Sequence, residues 1–453
     1  MKRLFSVFSL AVRPLSLAVA AACLAPALAG AQKAPAADAG AAWTGWLQGD
    51  MVRVLPEPAH NANARVRAEV TGKGKLSSEL KWKLSARVGY DLAYDNDYYL
   101  PGVRRDQRSE VSLREAHVDW GRGDWELRLG RQHIVWGEMV GLFFADVVSA
   151  KDMRQFVLQD FEQLRIPQWA ARVEYFKNDQ HLELIWLPAP EYDRIGKPGA
   201  DFYPSPYRYE GLGYDVRSES KLSRSFANGG FGARYSTERS GWDLSAFVYR
   251  SPDMAPTFAR EVVGLPGLGA GLGLPALGSS ATTIYRPTYD RLLRVGGTLA
   301  KDFDGLVLKA EAVFTQGRRF SSLDLATRNG LVAQNTIDWV VGLEGTPAEG
   351  WRVNGQFFQR AYLNHDPVTG FKRFESGVSL LVTRALTPAL DAELLAISSL
   401  LRSDWLARAA LTWKAGPNLR LKAGYDAFGG EPLGLFGRYG RQDRVYGRVR
   451  YTY

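Results

Sequence analysis

Polar and apolar residues alternate one by one along much of this chain. From Glu79 to Asp95, Leu80, Trp82, Leu84, Ala86, Val88, Tyr90, Leu92 and Tyr94 are interleaved with Lys81, Lys83, Ser85, Arg87, Gly89, Asp91, Ala93 and Asp95. Successive side chains of a strand point to opposite faces, so the segment predicts a strand with one apolar and one polar face. It is longer than most strands of soluble proteins and carries aromatics near both ends. The same two-residue period runs through 306–315, 337–344, 419–426 and 445–453, with Val307 and Val313 breaking the polarity of the first. Long strands that are apolar outside, polar inside and girdled by aromatics describe a transmembrane β-barrel.

Turn signals divide the chain into two alternating kinds. Short ones fall at Gly72–Lys75, Gly121–Asp124, Lys177–Gln180, Glu238–Gly241, Lys301–Gly305, Thr346–Gly350 and Ala415–Asn418. Longer ones fall at Asn96–Ser109, Pro188–Arg224, Pro252–Arg286, Gln316–Asn335 and Gly429–Gln442. This is the asymmetry of periplasmic turns and extracellular loops. The expected fold is all-β: an antiparallel transmembrane β-barrel over 43–453 with about 18 strands, the first near Trp43–Leu55. Sixteen is the competing count, because the N-terminal strands and the 372–400 hairpin are ambiguous. The final strand ends on an aromatic, and Tyr451 and Tyr453 are expected to serve as the signal read by the barrel-assembly machinery.

One stretch departs from the wall pattern. WELRLGRQ, opening at Trp125, alternates; WAARVEY, closing at Tyr175, alternates again; 135–167 between them does not. An apolar and acidic insert between two wall strands predicts a loop folded back into the lumen. Met153, Phe156, Val157, Phe161 and Leu164 recur at three- and four-residue spacings, which predicts a short amphipathic helix over Lys151–Leu164. Its apolar stripe would pack on the inner wall. Asp152, Asp160 and Glu162 would lie on one side and line a pore constriction.

The motif Gly130-Arg131-Gln132-His133-Ile134-Val135-Trp136-Gly137-Glu138, with Asp160-Phe161-Glu162, Arg165-Ile166-Pro167 and the Ala171-Arg172 strand, resembles an uncharacterised Gram-negative outer-membrane family catalogued as a domain of unknown function. The GRQ-x-x-x-W-G core is also similar to that of alginate-export barrels. The first resemblance, specific over about 110–176, implies an outer-membrane barrel. It also implies a gene context of resistance-nodulation-division exporters and an outer-membrane lipoprotein, hence partners of those kinds. Within the motif, parity from Trp125, Leu127 and Leu129 would place Arg131 on the lipid face, where a cation costs ~2–4 kcal/mol at the midplane. A bulge at Gly130 that turns Arg131 inward, to pair with Glu138 or a lumen carboxylate, is the preferred expectation; the alternative is a rim arginine facing lipopolysaccharide phosphates.

Inward positions of the last strands carry Arg408, Lys414, Arg420, Lys422, Arg448 and Arg450. In a closed barrel these continue into Arg65, Arg67, Lys81, Lys83 and Arg87. The expectation is a basic, pore-lining arc facing a mixed and more acidic wall. Such opposed charge selects by sign in a narrow lumen. Pairing of these cations across neighbouring strands is the competing expectation.

Composition adds the compartment. A basic start (Lys2, Arg3, with Arg13), an apolar run from Leu15 to Leu28 and Ala29-Gly30-Ala31 predict a secretory signal peptide over 1–31, followed by a small-residue linker over 32–42. A lipoprotein signal at Cys23 is the minor alternative. Cys23 is the only cysteine, which excludes a disulfide framework from the mature chain. The formal charge of +9 falls to +6 without the three signal-segment cations, favouring anions but not nucleic acid. The five histidines show no metal spacing, and no G-x-S-x-G elbow occurs. No cofactor, metal or catalytic residue is predicted. Gly264–Gly278 reads as an apolar extracellular loop able to meet lipid or a hydrophobic solute. Three functions remain open: a channel for anionic or amphipathic small molecules, an outer-membrane partner of an exporter handling lipid-like molecules, and a surface-binding barrel without transport. Outer-membrane lipids, lipopolysaccharide and a small solute are the partners expected of the first.

Overall fold

A computed structural model describes residues 41–137, 139, 145–223, 225–264 and 281–453. The signal segment, Cys23, nearly all of the linker, Glu138 and the Gly264–Gly278 loop beyond its first residue lie outside the described residues. Eighteen antiparallel strands form one sheet. They are β1 (Ala42–Val54), β2 (His60–Lys75), β3 (Leu80–Asp91), β4 (Ser109–Arg122), β5 (Trp125–Gln132) and β6 (Gln168–Lys177). There follow β7 (Gln180–Leu187), β8 (Gly230–Arg239), β9 (Trp242–Pro252), β10 (Arg291–Phe303), β11 (Leu306–Gln316) and β12 (Thr336–Gly345). The last six are β13 (Trp351–Tyr362), β14 (Phe374–Thr387), β15 (Leu390–Ser399), β16 (Asp404–Lys414), β17 (Leu419–Gly430) and β18 (Arg444–Thr452). Each pairs with its sequence neighbour, and β18 pairs back onto β1 from Trp46↔Thr452 to Val54↔Arg444. The sheet is therefore a closed barrel, and eighteen, not sixteen, is its count.

Alternation along each strand sets inside against outside. On β7, Leu182, Leu184 and Trp186 are 39–45% exposed on the lipid side, whereas Glu183, Ile185 and Leu187 are buried within. The loop parity follows the predicted alternation, with one shift: Gly72–Lys75 belongs to β2, and the turn is 76–79. The ambiguous 372–400 region resolves into β14 and β15, joined by the two residues 388–389.

The insert between β5 and β6 crosses the lumen and packs at both sides. At one side Ile134, Trp136, Ala145, Val147 and Val148 meet Ala170, Ile185, Leu187, Phe247, Tyr249 and Val313 of the wall. At the other, Phe156 and Leu158 meet Ile397, Leu406 and Phe428 of the wall together with Phe202, Phe436 and Tyr439 from two long loops. Apolar packing at the two ends thus wedges a polar middle across the barrel. The single predicted helix over Lys151–Leu164 is instead two separate turns, Met153–Gln155 and Phe161–Leu164. Phe156 stops the first: its φ of 50° is left-handed, outside the range a helix propagates, and its ring is held by Phe202, Phe436 and Tyr439 at 5.0–6.1 Å.

Candidate pore constriction

The family-like motif forms the hinge by which the chain leaves the wall. Gly130 has φ +127°, and a Cβ there would run into the Ala116 carbonyl oxygen. The pairings of β5 with β4 and β6 run without a register shift, so the predicted bulge is absent and Arg131 stays on the outward side, opposite the exposed Trp169. Arg131 is buried, its Nε donates to the Leu113 carbonyl at 2.7 Å, and its Nη1 reaches Glu191 at 2.9 Å. Its carboxylate partner thus comes from the loop after β7. Gln132, fully buried, donates to the Ala170 carbonyl at 3.1 Å and stitches β5 to β6 where the insert departs. Trp136 then plugs into the wall: its ring lies against Phe247 and Tyr249, and its indole N–H donates to Glu183 at 3.1 Å. Gly232 leaves the slot for that ring, since a Cβ there would sit 2.6 Å from it. A Cβ on Gly137 would lie 2.9 Å from the Asp146 backbone nitrogen.

Across the lumen the Glu311 carboxylate of β11 clamps the insert by its backbone. Its Oε1 accepts from the Met139 N–H at 2.9 Å and its Oε2 from the Ala145 N–H at 3.1 Å. Further along, Gln163 donates to Gln48 of β1, and Arg114 of β4 donates to the carbonyls of Glu162 and Arg165 at 2.9 and 2.7 Å. Arg114 is the extra residue of a bulge opposite Ser85/Ala86. That bulge frees it to turn towards the insert.

The three acidic residues expected on one helical side are separated. Asp152 is buried in a bidentate pair with Arg154, at 2.8 Å to Nε and 2.6 Å to Nη2. Burial alone would push this carboxyl up, yet the Arg154 guanidinium holds it at about 2. Asp152 therefore organises the insert internally instead of facing the pore. Asp160 and Glu162 are exposed. Asp160 reaches Arg448 at 2.8 Å; burial opposes its charge, but Arg448, then Lys422 and Arg450, keep it below the usual carboxylate range.

The arc predicted to be basic is a chain of ion pairs with an excess of cations. Lys83 pairs with Glu115, Arg87 with Glu69, Lys414 with Asp391 and Lys422 with Glu393. Asp50 is shared by Arg65, Arg67 and Arg448 at 3.6, 3.1 and 2.7 Å, and Asp426 by Arg408 and Arg444 at 2.9 and 3.0 Å. Among the described residues Lys81, Arg420 and Arg450 meet no carboxylate at ion-pair distance; Arg450 lies over the Trp46 ring instead. Around the insert, five guanidiniums (Arg65, Arg67, Arg408, Arg444, Arg448) face three carboxylates (Asp50, Asp160, Asp426). Among the described residues the buried Nε groups of Arg65 and Arg67 meet no hydrogen-bond partner.

The spaces beside the insert are small. Between it and β1, β17 and β18 lies a cavity of about 30 Å³ lined by Arg65, Arg408, Lys422, Arg448 and Asp160. On the β10–β13 side lies one of about 150 Å³ lined by Lys151, Asp253, Arg294, Arg318 and Arg360. The loop between β7 and β8 packs on the insert, and its Asp193 lines the second cavity. Asp193 accepts from the Lys151 N–H at 2.7 Å, Arg194 exchanges backbone hydrogen bonds with Lys151 and Met153, and Phe202 joins the second apolar cluster. Neither this loop nor the Glu311 clamp was apparent as part of the site from sequence. The available signal was apolar residues at inward parity, Ile185, Leu187, Phe247, Tyr249 and Val313, marking the wall against which something packs. At the far end Tyr453 exchanges backbone hydrogen bonds with Gly45 at 3.0 and 3.1 Å, extending the seam, and Tyr451 faces lipid.

In sequence, residues 47–376 match the family described as "Protein of unknown function (DUF1302)". No curated protein matches the chain. In structure the chain is similar to Acinetobacter baumannii OccAB2 (12% identity, TM-score 0.53, covering 91% of this chain and 98% of that one). It is also similar to Pseudomonas aeruginosa OccK9 (OpdG), at 11% identity and TM-score 0.52, covering 91% and 97%. Acinetobacter baumannii OccAB4 is comparable, at 10% identity and TM-score 0.51, covering 91% and 98%. These likenesses extend over the whole barrel and show its fold, that of outer-membrane β-barrels.

Proposed function

The chain belongs to the DUF1302 family of proteins of unknown function, and from its lumen we propose that it is an outer-membrane channel for small anionic or amphipathic solutes. The observation that carries this reading is the cation excess at the constriction: five guanidiniums share three carboxylates where the insert narrows the lumen. In a narrow, partly desolvated passage that excess lowers the energy of an anion and raises that of a cation. The apolar faces flanking it, formed by Val52, Leu158 and Tyr446, suit a solute with a short apolar tail. The insert and the β7–β8 loop narrow the passage. Reconstitution in planar bilayers under a salt gradient tests the reading. The expected reversal potential has the sign of anion preference and shrinks as salt rises, because solvated charges act over ~8–10 Å at physiological strength. A preference for cations at low salt would refute it.

A further inference from the structure

We propose that Asp160 is a stand-in ligand: its carboxylate occupies the place on Arg448 that the carboxylate of a small organic-acid solute takes when it passes. The inference rests on the channel reading above and assigns its solute site.

The Arg448 guanidinium is used in two halves. Its Nε is fixed to Asp50 at 2.7 Å, and its Nη1 is given to Asp160 at 2.8 Å. The two halves differ in exposure. The Asp50 side chain is 5% exposed and that of Asp160 45%, so the first pair is dry scaffold and the second meets water. Exposed ion pairs hold weakly and exchange readily. When Asp160 leaves, Arg448 stays aimed into the lumen, because Asp50 holds it from behind.

The cavity at this point, about 30 Å³, has room for little more than a water. A solute carboxylate that pairs with the Arg448 Nη1 therefore competes with Asp160 for that position. The surroundings would receive it: Lys422, Arg65 and Arg408 line the same cavity, with Val52, Leu158 and Tyr446 beside them for an apolar tail. The insert also has a pivot. Leu158 is anchored in the apolar cluster and its carbonyl is held by Arg408 at 3.0 Å, whereas Asp160 begins the turn Phe161–Leu164. Asp160 has the extended N-cap conformation, yet its side chain makes no capping hydrogen bond. A released carboxylate can thus fold back and cap its own turn, the usual role of Asp at that position. The exchange swaps one carboxylate for another on Arg448 and leaves that guanidinium paired.

Equilibrium binding to the full-length barrel folded in detergent tests the proposal, with benzoate as the probe and benzamide as its neutral counterpart. The variants are Asp160→Asn, Asp160→Ser and Arg448→Gln, each confirmed as folded by its shift on unheated gels. With the competitor removed, both Asp160 variants should bind benzoate about tenfold more tightly than wild type, and Arg448→Gln at least tenfold more weakly. Benzamide should bind all four alike. Unchanged or weaker benzoate binding in both Asp160 variants overturns the proposal, as does an equal gain for benzamide. Bilayer selectivity of the wild type keeps the two readings apart. Cation preference sinks the channel reading, whereas anion preference with an unaltered benzoate affinity in both Asp160 variants sinks the stand-in alone.

Discussion

Replacing Trp136 by alanine should undock the insert while leaving the wall intact. The side chain is 1% exposed, packs on Phe247 and Tyr249 at ring distances of 5.2 and 5.7 Å, and gives its indole N–H to the buried Glu183. Truncation of a buried Trp costs ~3–5 kcal/mol. Part of that is the orphaned Glu183 oxygen, because an unsatisfied buried acceptor costs ~1–3 kcal/mol. The loss falls on one docking contact and not on the ladder hydrogen bonds of β5 and β6, so it should appear as local opening. At ~1.4 kcal/mol per tenfold, the undocked population rises roughly a hundredfold to a thousandfold or more. Trypsin reports it, because Lys151, Arg154 and Arg165 lie within the insert. Cleavage that tracks the open population accelerates in proportion. Trp136→Phe keeps most of the packing and loses the hydrogen bond, so its rate should fall between the two. A folded, heat-modifiable Trp136→Ala barrel cleaved no faster than wild type would refute the anchoring of the insert by this residue.

Four further outcomes follow from the same geometry. Asp50→Asn leaves Arg65, Arg67 and Arg448 around a neutral amide; breaking a buried ion cluster costs ~3–5 kcal/mol, which a lowered urea midpoint would register. Gly130→Ala places a Cβ against the Ala116 carbonyl at a φ that L-residues avoid, and should strongly reduce the yield of folded barrel; a normal yield would mean the kink is not required. Replacing Tyr451 and Tyr453 by Asp sets charges at the lipid-facing end of the closing strand and should prevent assembly, and normal levels in the outer membrane would contradict that. Asp193 keeps part of its surface open but sits deep beneath the loops. Burial pushes its carboxyl up to about 6, with the Lys151 ammonium opposing. A raised carboxyl pKa favours the folded form when protonated. The Asp193 contribution to docking of the β7–β8 loop on the insert is therefore full below pH 3.8 and is lost as pH rises through 6. Protease accessibility of that loop reads this, and Asp193→Asn should flatten the profile.

Much of this molecule was legible in its sequence because a membrane wall imposes a strict code. Lipid on one side and water on the other force the two-residue period, and one misplaced polar residue costs kilocalories. The count of eighteen and the inserted segment both came from that period and its interruption. Inside the lumen the code loosens. Three- and four-residue spacing suggested one helix over Lys151–Leu164, but Phe156 answers to an aromatic cluster gathered from the loops and from β17, and no local pattern encodes that meeting. Charge signs show where cations recur along the strands, yet which carboxylate each one meets depends on cross-strand register. Asp50 satisfies three arginines from two flanking strands, one of them nearly four hundred residues away in sequence. Arg131 keeps the outward parity of its register partner Trp169, and what buries it, Glu191, sits on a loop that no local pattern encodes.

The Asp50–Arg448 contact has a consequence for biogenesis. Asp50 lies on the first strand and Arg448 on the last, so the pair can form only when the two ends of the sheet meet. Arg448 also holds Asp160. Until the wall is complete, the insert lacks one of its seats. Sealing should therefore precede the seating of the Asp160 end of the insert, and protease resistance of that end before heat-modifiability in a pulse-labelled time course would contradict that order. A barrel built this way locks the last end of its insert only as its two edges meet.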